Sequence, residues 1–183
     1  MENNKNTIRR VVMTGMMAAL LAVMSQMQIP LPTGVPVTLQ TFAVALCGYL
    51  LGSAMGTLAV GVYLALGAVG VPVFAGFSGG FGAFIGMTGG FLWGFLPMAF
   101  LCGLGVRAGK KYTALLLGTA GLAVCHLAGV FQFWLVSGMS FPVSFLTASA
   151  PYIIKDVVSL VLAYFAAIGI AASLKKAGLG DIA

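Results

Sequence analysis

Residues 149–176 read SAPYIIKDVVSLVLAYFAAIGIAASLKK. No charged residue interrupts Val157 to Leu174, and the run ends on Lys175 and Lys176. Counting back from Lys175, twenty helical residues cover about 30 Å, the thickness of a bilayer's hydrocarbon core. The stretch reads as a membrane-spanning helix, with Lys155 near its far boundary and Asp156 just inside it. A lysine there can extend its ammonium to the headgroups. Aspartate is too short for that, and an ionisable residue inside a membrane is a functional-site hypothesis by default. Neighbours on a helix point about 100° apart. If one of the pair faces the bundle the other flanks it, and together they edge a polar spot that opens outward.

Composition agrees with a lipid solvent. The 183 residues are 61% hydrophobic and 7% charged, against roughly 25% charged in an ordinary soluble domain, and the mean hydropathy is +1.10. One membrane domain, residues 1–183, is expected. Cys47, Cys102 and Cys125 stand singly in apolar runs, which suggests neither disulfides nor a zinc site. The net charge of +6 does not point to nucleic acid, because eight of the nine basic residues fall in three places: Lys5, Arg9 and Arg10; Arg107, Lys110 and Lys111; Lys175 and Lys176. Short loops rich in Lys and Arg face the cytoplasm. All three places are therefore expected inside, which demands an even number of crossings between them.

The turn signals divide the chain accordingly. Residues 9–29 are one apolar run, closed by the prolines of IPLPTGVP. Two further runs, 37–51 and 54–71, are split by Gly52-Ser53, and a fourth begins at Gly82 after a glycine-rich loop and continues to residue 105. Beyond RAGKKY come 113–136, the loop SGMSFPVSF, and 149–174. The expected fold is an all-α integral membrane protein of six transmembrane helices with both termini cytoplasmic. A secretory leader is not indicated: the first run is of spanning length, lacks a small-x-small cleavage site, and five more follow. Gly82, Gly86, Gly90 and Gly94 recur every four residues, as do Gly48, Gly52 and Gly56. Such spacing lets helices approach closely in lipid.

Motifs for phosphate loops, zinc proteases and nucleophile elbows are absent from the sequence, so no catalytic residue, metal or cofactor is expected. His126, beside Cys125, reads as a buried histidine bonded across helices rather than a general base. Near the outer loops lie the polar residues Gln40, Thr41, Ser78 and Thr88. The glycines from Gly76 to Gly80, including Gly79 and Gly80, permit backbone turns that could present amides to a solute. A binding protein for a small solute arriving from outside fits best. A self-sufficient permease or channel, and a membrane enzyme built on His126 and Asp156, remain as alternatives.

Four motifs in order, PLPTGVPVTLQTF at 30–42, GAVGVPVFAG at 67–76, GMTGGFLWGF at 86–95 and PYIIKD at 151–156, resemble the BioY family, the biotin-specific membrane subunits of energy-coupling factor (ECF) transporters. The resemblance runs from about Arg9 to Ala172. It implies a multi-pass protein of the prokaryotic cell membrane that binds biotin and is energised by a transmembrane coupling subunit and two ATPase subunits. It implies a docking role for the small residues Gly15, Ala18, Ala19 and Ala22 on the first span. Met87 stands where many members have proline. Ser159 stands where many have a lysine, and here Lys155 precedes the aspartate instead. For biotin, Lys155 suits the carboxylate and Asp156 a ureido N–H, both as charge-assisted hydrogen bonds, while Phe74, Phe77, Phe91 and Trp93 are candidates for an apolar wall.

Overall fold

At Gly52 the backbone leaves the helical region (φ 77°, ψ 178°), in a conformation open essentially to glycine alone. The structure is a computed structural model that describes residues 2–32 and 34–177, without the side chains of residues 2–6; the Lys5 side chain, Met1 and residues 178–183 thus lie outside what is described. Helix α2, Gln40–Ala68, contains Gly52. Were it straight, Gln40 and Tyr63 would be about 34 Å apart, yet Gln40 Nε2 donates to Tyr63 Oη at 2.8 Å. A Cβ on Gly56 would lie 2.5 Å from the Cys47 carbonyl oxygen. The two halves, 40–51 and 53–68, are therefore an antiparallel pair folded about Gly52, with bare glycine letting their backbones touch.

The other long helices are α1 (Glu2–Gln26), α4 (Gly89–Arg107), α5 (Lys111–Ser137) and α7 (Ala150–Lys176). With α2, these are five helices among the described residues long and apolar enough to cross a membrane. The proline-rich loop is closed by two short strands, β1 (Gln28–Ile29) and β2 (Val37–Thr38), paired antiparallel. Two expectations need correction. The run 82–105 is not one helix: α3 (Gly82–Ile85) stops at Gly86, which is extended (φ −71°, ψ 176°), and α4 starts at Gly89. Of that four-residue ladder, Gly90 and Gly94 let α4 approach α5 closely, Gly90 at the Ala128 carbonyl and Gly94 at Cys125, whose Cα would lie 2.6 Å from an added Cβ, while Gly86 reaches α5 only through its carbonyl, which accepts from Gln132 Nε2 at 2.7 Å. The loop SGMSFPVSF holds a further helix, α6 (Phe141–Ala148), with Pro142 in its first turn, where the missing N–H and fixed φ favour helix initiation.

α4 lies at the centre of the packing, against α5 on one side and the folded α2 on the other. Gly48 meets Ala99 and Cys102, and Gly103 meets the Gly52-Ser53 turn. α1 is peripheral, and its C-terminal end is tied to the loop that follows α2. Gln26 Nε2 donates to the carbonyls of Val73 (3.1 Å) and Phe74 (3.0 Å), its Oε1 accepts from the Phe77 N–H at 2.9 Å, and Ser25 Oγ lies against the Val73 carbonyl. Phe77 itself is held at φ 55°. The bundle thus has two unlike ends. One carries the loops after α1, α2 and α5, and the other carries Arg107, Lys110, Lys111, Lys175 and Lys176 at the termini of α4, α5 and α7.

Candidate functional site

The loop-bearing end holds a partly open cavity of about 270 Å³, near the lower end of the range for small-molecule sites, roughly 300–1,000 Å³. Each neighbouring element supplies part of the lining. Thr38 comes from β2 and Gln40 and Thr41 from the start of α2; Phe74, Ala75 and Ser78 from the loop after α2; Thr88 from the residue before α4, and Phe91, Leu92 and Phe95 from α4; Leu122, Cys125 and His126 from α5; Tyr152, Lys155 and Asp156 from α7. Phe74, Phe91, Leu92 and Phe95 give an apolar wall, and the ionisable groups His126, Lys155 and Asp156 come from α5 and α7. Asp156 is 5% exposed, so its charge is held by partners. Lys155 Nζ forms an ion pair with Oδ1, and His126 Nε2 lies 3.3 Å from Oδ2. Oδ1 touches the ammonium but has no hydrogen bond of good geometry. Lys155 also donates to the Thr38 carbonyl at 2.9 Å. That bond turns the ammonium toward the start of α2, although the side chain stays part-exposed.

Eight of the eleven residues expected at a binding site line this cavity: Lys155, Asp156, Gln40, Thr41, Phe74, Ser78, Thr88 and Phe91. Gln40 is pinned between Tyr63 and Thr38, its Oε1 accepting from Thr38 Oγ1 at 3.1 Å. The other three stand elsewhere. Trp93 is one helical step off the lining face of α4, 48% exposed and packed on Phe84. Gly79 sits where a Cβ would strike the Val71 carbonyl, and the Gly80 N–H is already bonded to the Gly67 carbonyl at 2.7 Å. These glycines shape the turn after α2 and do not line the cavity. Phe77, a further candidate for the wall, is 72% exposed and outside it.

The structure adds His126 and Tyr152 to the site. His126 is bonded across helices as its apolar setting suggests, to Asp156 and through Nδ1 to Ser149 Oγ at 2.8 Å. Tyr152 Oη donates to the Val35 carbonyl at 2.6 Å, fastening the proline-rich loop to α7. Beneath that bond a small second core gathers Val35, Phe133, Ala148 and Tyr152. The available signal was Tyr152's place one turn before Asp156, on the same helical face. On α1, Ala18 is 2% exposed and packs into the bundle. That corrects its expected place on a docking surface: Gly15 and Ala19 are exposed, and Ala22 is half-buried against the core.

The BioY family profile matches residues 1–176. The biotin transporter BioY of Rhodobacter capsulatus is 41% identical over 168 residues, 84% of this chain and 88% of that protein. The biotin transporter BioY of Thermotoga maritima is 44% identical over 125 residues, 68% and 73% of the two chains. The fold is similar to the crystal structure of the S-component for biotin from an ECF-type ABC transporter, with a TM-score of 0.82 and 25% identity over 91% of this chain and 92% of that one. With the family profile spanning almost every residue and a cavity ringed by the motif segments, this chain belongs to the BioY family.

Proposed function

We propose that the protein binds biotin from the outer side of a prokaryotic cell membrane and delivers it inward as the substrate-specific subunit of an ECF-type ABC transporter. The carrying observation is the cavity in which Lys155 and Asp156 meet apolar walls at the loop-bearing end of the bundle. Biotin combines an anionic carboxylate, a ureido ring with two N–H donors, and a thioether ring with an aliphatic tail. Lys155 suits the carboxylate, Asp156 suits a ureido N–H, and Phe74, Phe91, Leu92 and Phe95 suit the apolar body. Gln40, Thr41, Ser78 and Thr88 complete the polar rim.

Six crossings follow if each half of α2 counts as one. At about 18 Å and 24 Å both are short for a bilayer. But 67% of α2's most apolar stretch is buried inside the bundle, and irregular backbone at membrane depth is tolerated where protein covers it. The basic residues at the end opposite the cavity support a cytoplasmic position for that end and for both termini. No nucleotide-binding motif occurs in the sequence, so the energy comes from partners: a transmembrane coupling subunit and two ATPase subunits. They would be met through the exposed small residues Gly15 and Ala19, with Ala22 at the edge.

A membrane enzyme built on His126 and Asp156 is the weaker reading, because His126 is tied to Asp156 and to Ser149, whose hydroxyl is fully buried and does not line the cavity. Calorimetry on the purified protein in detergent is the test. Biotin bound one-to-one without turnover supports the binding-subunit reading, uptake by the pure protein in liposomes favours the permease, and product formation favours the enzyme.

A further inference from the structure

His126 is the single histidine of the chain, and its ring is gripped on three sides. Nε2 faces Asp156 Oδ2 at 3.3 Å, Nδ1 faces Ser149 Oγ at 2.8 Å, and the Phe91 ring stands edge-on at 6.0 Å between centroids. We propose that His126, oriented by Ser149, is a positioning residue that fixes the Asp156 carboxylate as the acceptor for a ligand N–H and so sets the site's selectivity for ureido donors. This deepens the biotin-binding reading and rests on it.

The assignment follows from which atoms can donate. An ionised carboxylate only accepts, so Nε2 carries the proton in the contact with Asp156; the other nitrogen of a neutral ring is then an acceptor. Ser149 is 0% exposed, so its hydroxyl has no water to turn to, and it donates to Nδ1. A histidine's tautomer is set by the bond its other nitrogen makes, and here that bond comes from the residue joining α6 to α7.

The consequence falls on the carboxylate. Without His126, Asp156 would keep only Thr41 and Lys155 as partners and could swing toward the ammonium of its own helix neighbour. Held at Oδ2 from α5, it keeps Oδ1 buried, in ionic contact with Lys155 yet without a well-formed hydrogen bond. Asp156 lines the cavity and a carboxylate offers about four acceptor positions, so a donor that enters can be met by this group in competition with the ammonium. A buried site built around such an acceptor rejects an analogue lacking the donor far more strongly than an apolar pocket rejects a missing methylene.

Having one histidine makes the test direct. In protein labelled with [15N]histidine, the ring nitrogen shifts, read at a pH where the ring is neutral, should show the Nε2–H tautomer, and Ser149→Ala should mix the tautomers. A ring protonated at Nδ1 overturns the proposal, and this readout needs no ligand. In binding, wild type should prefer biotin and dethiobiotin, which keep both ureido N–H groups, over ureido-N-methylated biotin. His126→Leu should weaken the first two about ten- to hundredfold and compress that preference. His126→Gln, whose amide can put an N–H where Nε2 was, should bind biotin at least tenfold more tightly than His126→Leu and restore the preference. Equal losses for all three ligands in His126→Leu, or no recovery in a His126→Gln protein that melts like wild type, would reduce His126 to a packing residue. If wild type binds no biotin, the functional reading falls, while the tautomer spectrum still reports separately on the His126–Asp156 contact.

Discussion

Lys155 has three ammonium protons, of which one goes to the Thr38 carbonyl and another is taken up by the ionic contact with Asp156. The third is available to an anionic ligand. A hydrogen bond to a charged group is worth about 1.5–3 kcal/mol, or some ten- to hundredfold in affinity, so wild type should favour biotin over biotin amide by about that factor. In Lys155→Met the gap should close. Both ligands should also bind more weakly than before, because Asp156 has lost a counter-charge; a gap of undiminished size would show that the ammonium serves only Asp156. Asp156→Asn should weaken the two ligands alike. Paired changes in protein and ligand separate the roles as a double-mutant cycle does. Tyr152→Phe removes the hydroxyl's bond to the Val35 carbonyl in the proline-rich loop, worth about 0.5–1.5 kcal/mol. Stopped-flow quenching of Trp93 and Trp134 should register it as faster biotin release, and an unchanged release rate would mean that the loop is held by the small core beneath it.

Helices differ in how much of themselves the sequence announces. The α2 hairpin is legible because a Gly-Ser pair interrupts two apolar runs, each too short to need the other's length. Gly52→Ala should destabilise the protein by about 1–3 kcal/mol, the cost of a side chain in that backbone region, seen as a lower melting temperature in detergent. The same substitution at Gly15, where an added Cβ meets nothing within 4 Å, should leave melting almost unchanged. α6 is hidden because Gly138, Ser140 and Pro142 each read as loop signals, although Pro142 serves as a helix starter. The break at Gly86 is hidden for the converse reason: a glycine every fourth residue imitates a continuous packing face. On α1 the period is visible but its phase is not, since small residues mark neither the inner nor the outer side. Ala19→Trp should block assembly with the coupling subunit and spare biotin binding. Ala18→Trp, driven into the core, should lower the melting temperature and the yield of protein. Identical outcomes for the two would remove the docking face from α1.

Across the whole molecule, the site joins residues more than a hundred positions apart in sequence, such as Thr38 with Lys155 and Val35 with Tyr152. The charged pair was legible because charge is rare in this chain. Its partners were not, because the contact between His126 and Asp156 is decided by how α5 packs on α7, and no local pattern encodes that. Topology can be measured directly. In a variant without Cys47, Cys102 and Cys125, single cysteines at the exposed Ser78 and Ser140 should react with an impermeant reagent added outside cells. Reaction from the cytoplasmic side alone would invert the molecule and put the cavity on the wrong face for uptake.

Gln26 links two of these scales. By holding Val73, Phe74 and Phe77 through both ends of one amide, it splices the last turn of α1 to a rim of the cavity. A peripheral helix attached in this way behaves as a lever whose short arm is the rim: tilting its exposed flank would drag Phe74, which lines the cavity, against Tyr63 and Phe84, on which its ring packs edge to face. A displacement of α1 would therefore be felt at this rim of the cavity.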